Sequence, residues 1–244
     1  MSSPGLDGRE RLSVSVVVPT YNERDNIGPL LRQLDRALAG RQRDFIVVDD
    51  LSPDGTGDAV RELAREIANV RLVTKARKEG IGAALRCGYD LARHEVIAST
   101  DADLSFSPAD MPRLLERIEA GADLALGCRH MRGGGYETPS WRTWLKFAVS
   151  RLGNRLVRRA TGLDIRDYSA NFRAIRRAVW AAIETRDNTN SLLLEMILKV
   201  RKRGFRIDEV PVSFADRVRG ESKLNLWIEA PKFAFKLLRH LGRR

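Results

Sequence analysis

The stretch Ser99-Thr100-Asp101-Ala102-Asp103-Leu104-Ser105 follows a short apolar run, residues 96–98, and precedes Pro108. The apolar run predicts a buried strand, and the proline is typical of the first turn of a helix. Asp101 and Asp103 are therefore predicted to lie in a strand-to-helix loop at the carboxyl edge of a parallel sheet. That edge is where open α/β folds bind their ligands.

An Asp-x-Asp spacing lets two carboxylates converge on one divalent cation, which can also hold the phosphates of a nucleotide sugar. The same two residues are compatible with solvated aspartates in a helix-capping loop, because aspartate is common in such loops. These residues alone leave both interpretations open.

Strand-like and helix-like stretches alternate on both sides of this loop. The predicted strands cover residues 14–18, 45–48, 70–73, 96–98 and 122–126. Between them, apolar residues recur at helical spacing. The alternation predicts an α/β fold with a mostly parallel sheet and helices on both faces.

Five acids follow the predicted strands and so gather at one edge of the sheet. They are Glu23, Asp49, Asp50, Asp101 and Asp103. Carboxylates placed together repel one another unless a cation or hydrogen-bond donors compensate them. A metal ion bound with a nucleotide would supply both. Gly80 and Gly82 are too few for a dinucleotide fingerprint, and close helix packing is the interpretation favoured for them.

Composition places the chain among globular proteins that do not span a membrane. It has 244 residues, is 43% hydrophobic, and contains no run of 18 apolar residues. Its first residues are polar and unlike a signal peptide, so a cytoplasmic location is expected. The two cysteines, Cys87 and Cys128, lack metal-type spacing and are expected to fill the core.

The net charge of +11 is unevenly distributed. Residues 1–127 carry 17 Lys and Arg against 21 Asp and Glu, whereas residues 128–244 carry 26 against 11. The second half therefore requires an anionic partner: a phosphorylated substrate, an anionic membrane or a nucleic acid. No DNA- or RNA-binding motif is recognisable, which argues against the last.

Two basic amphipathic segments account for much of this charge. Residues 141–159 combine two tryptophans and several leucines on one helical face with six cations, and residues 227–244 repeat the pattern. This composition is typical of helices that lie in a membrane interface. An ordinary helix that covers the sheet with a basic solvated face is the alternative. Further along, Arg217, Arg219 and Lys223 surround Gly220 in a pattern suited to pyrophosphate oxygens.

The assembled motifs resemble the inverting GT-A glycosyltransferases that make polyprenyl-phosphate sugars, most closely the dolichol-phosphate mannose synthases. The matching stretches are residues 16–23 (VVVPTYNE), 47–56 (VVDDLSPDGT), 101–105 (DADLS) and 210–224 (VPVSFADRVRGESKL). The last is the most specific to the mannose-phosphate branch. The resemblance runs from about Ser13 to Leu224 and implies a GT-A fold with amphipathic, membrane-facing helices.

The resemblance also implies roles for individual residues. The donor, GDP-mannose, would be held by Pro19, Tyr21, Glu23, Val48, Asp49, Asp50, Asp101, Ala102, Asp103, Arg217 and Lys223. The ligands of Mg2+ or Mn2+ would be Asp101, Asp103 and Ser105, and the acceptor phosphate would be received by Arg129, Lys146 and Ser150. The catalytic residues would be Asp103, Arg129 and Arg217.

Two positions depart from the family pattern. Ser105 stands where close relatives often have glutamine as a further metal ligand, and Ala170-Asn171-Phe172 stands where Ser-Gly-Phe is usual. The first departure predicts weaker or water-mediated coordination by Ser105. The second leaves open how the loop over the sugar is built.

The implied reaction is transfer of mannose from GDP-mannose to a polyprenyl or dolichyl phosphate, with inversion to the β configuration. A sister enzyme that uses UDP-glucose or another nucleotide sugar is the alternative. The expected organisation is a catalytic domain over residues 1–225, with a donor half (13–127) and an acceptor half (128–225), followed by a tail (226–244). We expect peripheral attachment to the cytoplasmic face of a membrane, with an anchoring partner subunit as one possible means.

Overall fold

A computed structural model of the chain describes residues 11–136 and 141–215. The strands in this part are β1 Val14–Thr20, β2 Arg43–Asp49, β3 Val70–Thr74, β4 Val96–Ser99, β5 Leu124–Cys128, β6 Gly135–Tyr136, β7 Arg173–Arg176, β8 Ile207–Pro211 and β9 Ser213–Phe214. The helices are α1 Arg24–Ala37, α2 Thr56–Glu66, α3 Ile81–Leu91, α4 Met111–Glu119, α5 Trp141–Thr161, α6 Arg177–Ala182 and α7 Ser191–Lys202. A single 3₁₀ turn, Pro108–Asp110, precedes α4 where the sequence predicts the start of one continuous helix.

Seven strands form one sheet in the order β3-β2-β1-β4-β7-β5-β8. β7 pairs antiparallel with both β4 and β5, and the other pairings are parallel. The prediction of a mostly parallel α/β sheet is confirmed. β8, which ends at Pro211, lies at the edge of this sheet, as expected for a strand that contains proline.

The sheet is buried on both faces, which explains its nearly continuous apolar strands. Val16 and Val18 of β1 pack into a cluster with the apolar stripes of α1, α2 and α4. Val17, which points the opposite way, joins a second cluster with α3 and α7. Cys128 is buried at the end of β5, and burial raises the pKa of its thiol to about 12. Its predicted role as a core side chain is confirmed.

Close approach of α3 to its neighbours depends on glycine. A Cβ atom on Gly88 would lie 2.3 Å from Cγ1 of Val17, and one on Gly82 would lie 2.5 Å from the carbonyl oxygen of Thr189. The packing role predicted for the Gly80–Gly82 pair is confirmed. Its neighbour is the loop before α7 rather than another helix.

The second half of α5 exposes part of its apolar face. Asn154, Val157 and Thr161 are buried against the protein, whereas Leu152 and Leu156 are 60% and 57% exposed. This part of α5 therefore packs against the protein through the side that carries Asn154, Val157 and Thr161. Leu152 and Leu156 do not cover the sheet. Within the described residues, no helix has both the length and the apolar character that crossing a membrane requires.

Candidate functional site

The loop after β4 carries Asp101 and Asp103 at the carboxyl edge of the sheet, as predicted. Asp103 is buried, and its Oδ1 accepts a hydrogen bond from the backbone N–H of Ser105 at 3.0 Å. The Nδ2 of Asn171 donates to Asp101 Oδ1 at 2.9 Å. Both carboxylates are therefore oriented by donors from the protein.

The loops after β1 and β2 are tied together at the same edge by Asp49. Its carboxylate accepts hydrogen bonds from the Thr20 hydroxyl at 3.1 Å and from the backbone N–H of Ser52 at 3.0 Å. The Ser52 hydroxyl donates to it as well. Asp49 is only 2% exposed, so its observed contacts are those of a residue that shapes the loop.

Asp50 anchors a third loop, which leads into α3. Its two carboxylate oxygens accept hydrogen bonds from the backbone N–H groups of Glu79 and Gly80 at 2.9 and 2.8 Å. The ammonium group of Lys75 lies 3.8 Å from Asp50 Oδ1. Asp50 therefore fixes the position of residues 75–80 over the edge of the sheet.

The remaining residues expected at the donor differ in accessibility. The ammonium group of Lys78 lies 3.5 Å from the centre of the Tyr21 ring, a cation–π contact. Glu23 accepts a hydrogen bond from the Asn26 amide through its carboxylate. Pro19 lies within buried β1, and Val48 has no exposed surface. The structure thus places all four at this edge, with Tyr21 and Glu23 closer to solvent than Val48.

Backbone strain is concentrated at this edge. Among the described residues, four that are not glycine have positive φ: Asn22 (58°), Leu51 (63°), Leu104 (60°) and Asn69 (64°). The first three lie in the loops after β1, β2 and β4. Left-handed leucine is energetically costly and persists where the surrounding structure enforces it, as often occurs at functional sites.

Arg129, expected at the acceptor phosphate, lies in a buried ion pair just after β5. Its Nε and Nη2 donate to the two carboxylate oxygens of Asp167 at 2.7 and 3.0 Å, and Nη2 also donates to the Ser169 hydroxyl. Burial by itself would raise the pKa of Asp167, but the charge and hydrogen bonds of Arg129 outweigh it and lower the pKa to about 2. The guanidinium also lies 5.1 Å from the centre of the Phe214 ring.

Ser150, a second residue expected at the acceptor, lies on α5 close to a histidine. Its hydroxyl is 3.4 Å from Nε2 of His130, and Asn154 lies at the edge of hydrogen-bonding distance at 3.5 Å. Burial lowers the pKa of His130. No histidine belongs to the motifs found in the sequence, so the contact between Ser150 and His130 is seen only in the tertiary structure.

Part of the predicted site falls outside the described residues. Arg217 and Lys223 lie there, as does the tail 226–244, and for Lys146 only the backbone of α5 is described. The chain up to Ala215 nevertheless reaches the aspartate loop. The backbone N–H of Ala215 donates to the carbonyl oxygen of Ser105 at 2.9 Å, and Phe106 forms an antiparallel bridge with Phe214.

The residues at this edge fit a divalent cation of the kind that keeps several water ligands. Asp101 and Asp103 supply two hard oxygen donors, and Ser105, which is buried like Asp103, is two residues further along. Among the described residues, no group of three or more His, Cys, Asp or Glu side chains forms a complete cage. Mg2+ or Mn2+ held by two carboxylates and substrate phosphates suits such a donor set.

Comparison with protein families assigns this architecture. A family model described as glycosyl transferase family 2 matches residues 15–183, which include the Asp49, Asp50, Asp101 and Asp103 loops. The chain belongs to glycosyl transferase family 2. It is accordingly a glycosyltransferase. The resemblance inferred from its sequence motifs is confirmed.

Curated relatives of this family 2 glycosyltransferase include several mannosyltransferases. It is 36% identical over 217 residues to polyprenol monophosphomannose synthase of Mycolicibacterium smegmatis, covering 86% of this chain and 80% of that protein. It is 34% identical over 233 residues to dolichol-phosphate mannosyltransferase of Pyrococcus furiosus, covering 95% of this chain but 63% of that protein. The chain therefore spans less than two thirds of the length of the Pyrococcus relative.

Solved structures show the same fold. A crystal structure of glucosyl-3-phosphoglycerate synthase from Mycobacterium tuberculosis, in complex with Mn2+ and UDP, matches with a TM-score of 0.71 at 18% identity. The match covers 95% of this chain and 80% of that one. The expected GT-A fold is confirmed.

Several contacts at the site have no signal in the sequence motifs. Asp167, the partner of Arg129, lies in a polar loop, and Tyr89 in α3 and Ser99 in β4 are linked by hydrogen bonds to Asn171. Asn171 is visible in the sequence as a departure from the family pattern, but its contact with Asp101 is not. These residues are separated from their partners by 10 to 72 positions, so no local pattern links them.

Proposed function

We propose that the chain transfers mannose from GDP-mannose to a polyprenyl phosphate, with inversion to β-mannosyl phosphoryl polyprenol. The observation that carries this proposal is the contact of Ser105 and Phe106, at the end of the aspartate loop, with residues 214–215. It joins the expected metal ligands to the start of the motif most specific to the mannose-phosphate branch. The relatives named as mannosyltransferases for lipid phosphates support the same activity.

In the proposed donor site, the carboxylates at this edge of the sheet hold the cation and the loops, and basic residues bind the diphosphate. Asp101 and Asp103 would hold Mg2+ or Mn2+, and the cation supplies positive charge next to the diphosphate leaving group when it is bound. Structural neighbours crystallised with Mn2+ or Mg2+ and UDP are consistent with this. Asp49 and Asp50 hold the loops against which the guanosine would bind. Arg217 and Lys223 would bind the diphosphate from the other side.

The proposed acceptor needs no general base, because a phosphate monoester has a second pKa of about 6 and is already anionic near neutral pH. One of its oxygens forms a bond to the anomeric carbon of mannose while the bond from that carbon to the GDP oxygen breaks. Arg129, Lys146 and Ser150 would orient the acceptor. Asp167 neutralises much of the charge of Arg129, so its main contribution would be directed hydrogen bonds.

We also assign the membrane-facing side to α5. Leu152 and Leu156 are exposed beside Arg155 and Arg159, and together they line a shallow groove of about 530 Å3. Exposed leucines among cations suit the boundary between anionic headgroups and acyl chains. With the tail 226–244, this surface would hold the enzyme at the cytoplasmic face, where the donor half 13–127 and the acceptor half 128–225 meet their substrates.

A second candidate is transfer of another sugar to the same class of lipid. Relatives named undecaprenyl-phosphate 4-deoxy-4-formamido-L-arabinose transferase are 33–34% identical over about 86% of the chain, nearly as similar as the mannosyltransferases. The fold and the metal loop serve either sugar. The choice between them depends on contacts to the nucleotide base and to the transferred sugar.

The test is transfer of radiolabel from GDP-mannose, and in parallel from UDP-glucose, to a short polyprenyl phosphate in Mg2+ or in EDTA. We expect transfer from GDP-mannose that EDTA abolishes. Transfer from UDP-glucose alone would reject mannose and favour the second candidate. Transfer that persists in EDTA would reject the metal role of Asp101 and Asp103.

A further inference from the structure

We propose that Asn171 is a positioning residue that orients Asp101 for binding a divalent cation. The inference rests on the metal role given to Asp101 in the proposed function. Asn171 is 2% exposed, and its Nδ2 donates to Asp101 Oδ1 at 2.9 Å. The family resemblance leads one to expect glycine at this position, and glycine has no side-chain donor. The contact is thus supplied by this chain's own sequence.

The sheet brings the two residues together. β7 runs antiparallel to β4, and the last residue of β4, Ser99, pairs with the first residue of β7, Arg173. Continuing this register two residues past the strand ends places Asn171 opposite Asp101. Directly opposed residues of an antiparallel pair have side chains on the same face, at a distance suited to a hydrogen bond.

A chain of buried hydroxyls sets the direction of the Asn171 amide. The Ser99 hydroxyl donates to Asn171 Oδ1 at 2.8 Å, and its oxygen lies 2.8 Å from the hydroxyl of Tyr89. Because Ser99 has one hydroxyl proton, Tyr89 must donate to it. Burial raises the pKa of Tyr89, so this donor stays protonated. The amide therefore presents its N–H group to Asp101, since a carboxylate accepts and does not donate.

The backbone around Asn171 is also held in place. The Nε of Arg173, whose side chain is fully buried, donates to the carbonyl oxygen of Ala170 at 3.1 Å, and its Nη1 donates to that of Leu193 at 3.0 Å. Phe172, the residue between Asn171 and Arg173, is fully buried and stacks on Phe106 with ring centres 5.2 Å apart. Asn171 is thus held through the backbone on both sides of it and through its side-chain oxygen.

These contacts would prepare Asp101 before the cation arrives. The amide holds one carboxylate oxygen and so sets the plane of the carboxylate relative to Asp103. It donates a hydrogen bond without adding a charge that would compete with the cation. Partners of this kind typically contribute 10- to 100-fold to metal affinity.

The experiment is a titration of the full chain with Mn2+ in saturating GDP, with free Mn2+ followed by electron paramagnetic resonance. We expect Asn171→Ala to raise the Mn2+ dissociation constant about 10- to 100-fold. Ser99→Ala, which removes the donor to Asn171 Oδ1, should raise it by a smaller factor. Thermal unfolding of each variant checks that it is folded. If Asn171→Ala does not fold, the Mn2+ affinity of Ser99→Ala still tests the inference.

Ser15→Ala is the matched control. Ser15 is a fully buried serine of β1 whose Oγ accepts backbone hydrogen bonds from Arg93 and His94, at the sheet edge opposite the site. Its loss should lower stability and leave Mn2+ affinity unchanged. Equal weakening in Ser15→Ala and Asn171→Ala would overturn the inference, because the effect would then follow stability alone. Unchanged affinity in folded Asn171→Ala, or no Mn2+ binding by the wild-type chain, would also overturn it.

Failure of the inference and failure of the proposed function give different results. A wild-type chain that binds Mn2+ but transfers no mannose, together with weakened binding in Asn171→Ala, rejects the mannosyl activity and supports the role of Asn171. Metal-dependent mannosyl transfer with unchanged Mn2+ affinity in Asn171→Ala supports the activity and rejects the role of Asn171.

Discussion

Asp167→Asn tests how much the buried ion pair with Arg129 stabilises this fold. The Asp167 side chain is fully buried and Arg129 is 11% exposed, and the two share a bidentate contact. Asparagine has nearly the shape of aspartate but no charge. The substitution therefore removes the charge–charge attraction and leaves most of the packing in place.

The lowered pKa supplies the expected magnitude. The pKa of Asp167 falls from 3.8 to about 2 in the folded protein. One unit corresponds to about 1.4 kcal/mol, so the charged form of Asp167 contributes about 2 kcal/mol to stability near neutral pH. We expect Asp167→Asn to lower the free energy of unfolding by at least that amount, because both carboxylate oxygens accept hydrogen bonds and the new amide NH2 would face a donor of Arg129 or Ser169.

The sign of the pH dependence follows from the same shift. Because the folded pKa is lowered, this contribution is fully present above the unfolded value of 3.8 and is lost as pH falls toward about 2. The difference in stability between wild type and Asp167→Asn should therefore be constant from pH 7 to about 5. It should shrink between about pH 4 and pH 2.

Urea unfolding at several pH values measures this difference, and Asp164→Asn is the matched control. Asp164 also pairs with an arginine, Arg158, but their side chains are 75% and 49% exposed. Such a pair contributes less than about 1 kcal/mol. Equal losses in the two variants, or a difference for Asp167→Asn that does not change down to pH 2, would refute the reasoning from burial.

Three further predictions concern packing and the site. Gly88→Ala should lower the free energy of unfolding by about 1–3 kcal/mol, since its Cβ would lie 2.3 Å from the core residue Val17. Gly153→Ala is the control, because nothing lies within 4 Å of its Cβ, and it should not destabilise the protein. Urea unfolding of the two variants measures the difference. Asp103→Ala should lower turnover by roughly 100-fold or more, and wild-type rates would reject its metal role. Arg217→Ala should lower turnover in the radiolabel assay more than Arg159→Ala does. Equal losses in the two variants would count against a contact between Arg217 and the diphosphate.

The framework of the site was predictable because its signals are local. Apolar runs that end in Asp49, Asp50 and Asp101 mark the carboxyl ends of buried parallel strands, and the intervening helical periodicity requires crossovers that align those ends. The gathering of these acids at one edge follows from strand direction alone. It did not require knowledge of which strand lies beside which.

The contacts of these same residues were not predictable. Asp49 and Asp50 were expected to contact the donor directly, yet the structure shows them occupied by hydroxyl and backbone donors of neighbouring loops. A loop's internal hydrogen bonds depend on its exact path, and the path depends on packing that a pattern of residue types does not describe. Their direct contact with guanosine stays a prediction.

What the sequence by itself determined is the α/β class, the mostly parallel sheet, the carboxylates along its edge and the family to which they belong. The tertiary structure alone decided the partners: Asn171 for Asp101, 70 residues away, and Asp167 for Arg129, 38 residues away. Both pairings arise because β7 inserts antiparallel between β4 and β5. Strand periodicity reports which residues face the core, but the choice of neighbouring strand is made by the packing of the whole chain.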